Sequence, residues 1–166
     1  MRRFLASLGA LLATAAAFAA GPLTHFNVVL LQPSAVLEAR VANVDAMATY
    51  VKAVEAAARE AVLASGAKQS VGGFIVVAVK PGGRSNVWLD FDTLTDLDMQ
   101  KQIAARVRAV PPFEATQGPV VFALKVATWD GRESRRSAPL PPEWRRATRG
   151  QPTVEVGDLV ERLWQD

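Results

Sequence analysis

The segment GGFIVVAVK, residues 72–80, constrains the fold of this chain more than any other stretch. It is an unbroken apolar run too rich in β-branched side chains for a helix, and Pro81-Gly82-Gly83 at once turns the chain back. Residues 86–92 then alternate cleanly: Val87, Leu89 and Phe91 point one way, and Asn86, Trp88, Asp90 and Asp92 the other. The two runs read as a hairpin.

Helical stripes flank it. Val44, Met47, Val51, Val54, Ala58 and Ala61 recur at three- and four-residue steps, leaving Lys52, Glu55, Arg59 and Glu60 for the wet side. Asn43 or Asp45 can cap the start, Ser65-Gly66 supplies a left-handed stop, and Leu37 and Val41 allow an earlier beginning. After the hairpin, a second helix from Asp96 carries Met99 or Gln100, Ile103, Val107 and Val110 on one stripe before Pro111-Pro112 stops it. Residues 120–129 form a third strand, where Val120, Phe122, Leu124 and Val126 alternate with Val121, Ala123, Lys125, Ala127 and Trp129. A further short strand is expected at residues 26–31 (FNVVLL), ended by Pro33. The order helix, strand, strand, helix, strand predicts an α+β fold: a small antiparallel sheet of three or four strands with its helices on one face.

The length, 166 residues, with 50% hydrophobic and 21% charged residues, suits one folded domain and argues against disorder. Its first 19 residues read as a secretory signal. Met1-Arg2-Arg3 is a positive start, residues 4–18 are apolar and alanine-rich, and Ala17-Phe18-Ala19 has small residues at the cleavage positions. A retained anchor is the alternative, but residues 4–23 are rich in alanine and glycine and only weakly hydrophobic for a bilayer. Loss of Arg2 and Arg3 leaves 17 of the 19 basic residues against 16 acids, so the exported chain is nearly neutral and nucleic acid is not an expected partner. The absence of cysteine excludes disulfides, thiolate chemistry and a lipid-attachment cysteine. A periplasmic protein fits these features.

Residues 131–166 differ from the expected domain at 20–130. Between Arg132 and Arg149 lie six arginines and two glutamates, broken by Pro139, Pro141 and Pro142, which reads as an extended, solvated linker. It ends in a short amphipathic helix bearing Val156, Leu159, Val160, Leu163 and Trp164. Such a tail can offer weak contact with anionic lipid.

Residues 71–129 resemble the C-terminal domain of TonB and, more loosely, of TolA. The shared pattern is an apolar strand, the Pro81-Gly82-Gly83 turn, an alternating strand, a helix, Pro111-Pro112-Phe113, Gly118 and a last alternating strand. The resemblance implies a periplasmic, non-enzymatic domain that engages envelope proteins, often by adding a strand at a sheet edge. Residues 120–129 are the expected edge. The chain departs from the family in lacking a Lys-Pro and Glu-Pro rich spacer and in its cleavable-looking N-terminus, which argues against energy transduction.

Asp90, Asp92, Asp96 and Asp98 raise the question of chemistry. A calcium loop starting at Asp90 would place Leu94 at position 5, Thr95 at 6 and Lys101 at 12, which fails the ligand pattern. Structural roles suffice: Asp90 and Asp92 as outward strand positions, Thr95 as helix cap with Asp98 reciprocal, and Asp96 favouring the positive helix end. The competing reading is a metal- or carboxylate-dependent hydrolase using Asp90, Asp92 or Asp98. His25, the single histidine, lies where a chain usually frays, and no G-x-S-x-G, H-E-x-x-H or phosphate-binding loop occurs. No metal site or cofactor is expected. Trp88, Lys125 and Trp129, on the faces opposite the main apolar stripes, are the candidate partner-binding residues, unless the terminal helix or the first strand covers the tryptophans.

Overall fold

The computed structural model describes residues 21–151 and 153–165; the expected signal at residues 1–19 lies outside them. Among the described residues nine elements follow in order: β1 (Leu23–Leu30), α1 (Ser34–Arg40), α2 (Val44–Ser65), β2 (Val71–Lys80), β3 (Arg84–Phe91), α3 (Leu97–Arg108), β4 (Val120–Thr128), α4 (Pro142–Ala147) and α5 (Val156–Leu163). The four strands form one antiparallel sheet in the order β1-β4-β2-β3. The fold is α+β, as the alternation of helical and strand patterns predicts.

Local chemistry sets most boundaries. The Asn43 side chain accepts from the Ala46 amide at 2.9 Å and starts α2, while Gly66 ends it with φ of 70°. Leu37 and Val41 do not extend α2 backwards; Leu37 belongs to the separate α1, which Pro33 precedes, and Val41 caps that helix and bridges to Ala115. In α3 the cap is Asp96 rather than Thr95, because the Asp96 carboxylate accepts from the Met99 amide at 2.8 Å. Gly82 and Gly83, at φ of 85° and 68°, allow the three-residue turn that sets Lys80 opposite Arg84.

The expected single helical layer is incomplete. Every residue of β2 is buried, so the sheet needs cover on both faces. On the first face α2 and α3 supply Val54, Ala58, Val62, Met99 and Ile103 against Ile75, Val77, Phe122 and Leu124. On the second, Trp144 from α4 and Leu159 and Val160 from α5 pack on Phe74, Val76, Ala78, Val121 and Ala123. The segment expected as a solvated linker is therefore a second layer. Gly72 permits its passage: a Cβ there would stand 2.2 Å from the Arg132 carbonyl oxygen.

Burial of Trp144, Leu159 and Val160 contributes about 1.5–3 kcal/mol each. Together that is a large share of the roughly 5–15 kcal/mol by which domains are stable. Deleting residues 132–166 is therefore expected to abolish the cooperative thermal transition and to expose dye-binding apolar surface. A truncated chain that melts as sharply as the full one would refute the two-layer account.

Candidate functional site

The aspartates of β3 turn out to fasten the tail. Asp90 is only 5% exposed, and its carboxylate accepts from Arg136 at 2.5 Å and from the Leu140 amide at 2.7 Å. Asp92 accepts from the Ser134 hydroxyl at 2.8 Å and pairs with Arg136 at 2.9 Å. Burial lowers the affinity of the Arg136 guanidinium for its proton, but its bonds to Asp90 and Asp92 outweigh that and hold its pKa above the usual value. Asp90 is thus a buried ion-pair partner, not the outward position its alternation implied. Asp98 accepts from Gln102 on the α3 surface at 2.8 Å. Among the described residues no group of three or more histidine, aspartate or glutamate side chains gathers where a metal ion could sit.

The three expected partner-binding residues are engaged within the chain. Trp88, 7% exposed, meets Trp144 edge-on with ring centres 5.5 Å apart. Lys125 pairs with Glu133 at 2.8 Å and lies 6.0 Å from the Phe74 ring centre. Trp129 breaks the alternation of its strand because it adopts φ of 47°; its ring packs with the α2 face, and its indole N–H donates to the Ala67 carbonyl at 2.7 Å. The apolar side of α5 packs on the sheet as well, through Leu159 and Val160. Lys80 holds the end of that helix, donating to the Trp164 carbonyl at 2.6 Å and pairing with Glu161 at 2.9 Å.

The expected edge also moves. β4 is paired on both sides, with β1 and with β2, and offers no free backbone. β1 and β3 are the edges. On β3, Arg108 donates to the Val87 carbonyl at 3.4 Å and Arg136 to the Asp90 carbonyl at 2.8 Å. β1 is more open. Leu31 donates its amide to the Val121 carbonyl at 3.3 Å, so Leu31, Val29 and Asn27 direct their backbone groups to β4, and Val28 and Leu30 direct theirs away.

Two grooves border this edge. On the first face a groove of about 500 Å³ lies between β1 and α2, lined by Val28, Leu30, Val44, Met47 and Val51, with His25, Lys52 and Glu55 at one end. His25 is not frayed: its Nδ1 is 3.0 Å from Glu55, which also accepts from Arg59 at 2.7 Å. On the second face a groove of about 600 Å³ runs between Val29 of β1 with Leu31 just after it and the tail residues Leu140, Trp144, Val154 and Val156. Phe26 and Leu30 remain 40% and 54% exposed along the edge, and a bulge between His25 and Asn27 leaves residues 27–30 as its regular part. Sequence reasoning placed the strand but missed its role, because edge position depends on pairing partners distant in the chain. The chain matches no family model, no curated protein and no solved structure.

The clasp is testable by comparing its shared cation with its more open carboxylate. Arg136→Ala leaves Asp90 buried without its cation and is expected to cost about 2–3 kcal/mol, below the roughly 3–5 of a fully buried pair because Arg136 is 34% exposed. Asp92→Asn, at a more open site, should cost under about 1 kcal/mol. Urea denaturation of both variants checks the order; equal losses would contradict it.

Proposed function

We propose that this chain is a non-catalytic protein-binding module of the bacterial cell envelope, acting in the periplasm after removal of residues 1–19, and that it captures a partner by adding the partner's strand to β1. The observation that carries this reading is an edge strand whose outward backbone groups are unpaired among the described residues, between two largely apolar grooves. Main-chain bonds along such an edge supply affinity, and pockets for alternate side chains supply selectivity. The pattern shared by residues 71–129 with the TonB C-terminal domain supports the same mode of action, transferred from the last strand to the first. Compartment follows from the N-terminal charge and apolar pattern, with which the lack of cysteine agrees. Among the described residues no helix is long and apolar enough to cross a membrane.

A photo-crosslinking residue in place of Val44, which is 72% exposed beside the β1 groove, should trap a discrete envelope protein in cells, whereas one in place of exposed Ala105 on α3 should not. Leu30→Pro removes an outward donor and no bond to β4, so it should abolish the adduct while circular dichroism stays unchanged. An adduct that persists in a folded Leu30→Pro protein would refute strand addition at β1.

A further inference from the structure

On the strand-addition reading, the chemistry of the captured segment can be specified. We infer that β1 receives an extended segment that is apolar on both of its faces and carries a carboxylate near its C-terminal end. The first half of this inference comes from the walls of the edge. Val28 and Leu30 line the groove against α2, while Val29 and Leu31 line the groove against the tail. A strand laid alongside sends successive side chains to opposite faces, so one set enters each groove. The walls are mainly apolar on both sides, with Gln32, Thr148, Gln151 and Thr153 the polar members of the tail groove, so a half-polar strand forgoes most of the apolar burial on one of its faces.

The carboxylate follows from direction and charge. Glu55 reaches His25 near the N-terminal end of β1, and Lys52 lies one helical turn away on the same groove. Glu55 is committed to His25 and Arg59, whereas Lys52 has no ion-pair or hydrogen-bond partner among the described residues. Every strand pair in this sheet is antiparallel. A segment continuing that arrangement brings its C-terminal end to the N-terminal end of β1, and so to the free Lys52 ammonium.

Fluorescence polarisation with three labelled peptides on the exported chain tests this. The first is fluorescein-Gly-Val-Ile-Val-Leu-Val-Asp-Gly-amide; the second replaces Ile and Leu by Ser, making one face polar; the third replaces Asp by Lys. The first is expected to bind at least about tenfold more tightly than either other peptide. Lys52→Glu should reverse the preference between the first and third, and Leu30→Pro should weaken all three. If the half-polar or the lysine peptide binds as well as the first, and Leu30→Pro still abolishes binding, the two-sided or the carboxylate claim is wrong while strand addition stands. Binding of no peptide, or binding indifferent to Leu30→Pro, would overturn strand addition itself.

Discussion

Burial of β2 on both faces is the constraint from which the rest of the structure follows. A strand with Ile75, Val77 and Val79 on one side and Phe74, Val76 and Ala78 on the other cannot be satisfied by α2 and α3 alone. The chain must supply a second layer, and the remaining apolar material lies in the last quarter of the sequence. That demand converts a proline- and arginine-rich stretch into packed structure. It also explains the glycine at position 72, where the returning backbone crosses the sheet too closely for any side chain.

Ionic contacts then steer the layer rather than supply its cohesion. Asp90, Asp92, Lys125 and Lys80 sit on the face that the tail must cross, and each meets a complementary group on it: Arg136 for the two aspartates, Glu133 for Lys125, Glu161 for Lys80. Arg136 also lies 5.2 Å from the Phe74 ring centre, so its charge is held over apolar surface as well as against carboxylates. Asp90, Lys80 and Lys125, which would be costly to bury singly, are thereby each paired with a tail group that stays partly in solvent. The two aromatic meetings, Trp88 with Trp144 and Lys80 with Trp164, close the same seam.

The arrangement has a geometric by-product at the opposite edge. With β3 braced by Arg108 and Arg136, and with the helices and the tail standing on either side of the sheet, β1 is left as the open margin. Both layers flank that margin without closing over it. The candidate binding surface is therefore made jointly by the first strand, the long helix and the tail, elements far apart in sequence.

Sequence alone determined what local rules govern. Period-two and helical patterns located β2, β3, α2, α3, β4 and α5, and Gly66 and the Pro81-Gly82-Gly83 turn were legible because capping and turn formation need only neighbouring residues. Where two local solutions competed, as between Asn43 and Asp45 at the start of α2, the pattern could not choose, and at the start of α3 it favoured Thr95 where the structure uses Asp96. What only the tertiary structure decided was everything that joins distant segments. Asp90 alternates like a solvent-facing residue, and nothing within the hairpin shows that Arg136, 46 positions on, buries it. Trp129 belongs by alternation to one face, and a single left-handed residue turns it to the other. Strand order had the same character. Residues 120–129 look equally plausible at an edge or in the middle, because backbone hydrogen-bonding capacity is identical along any strand, and only its neighbours in space settle which groups remain free.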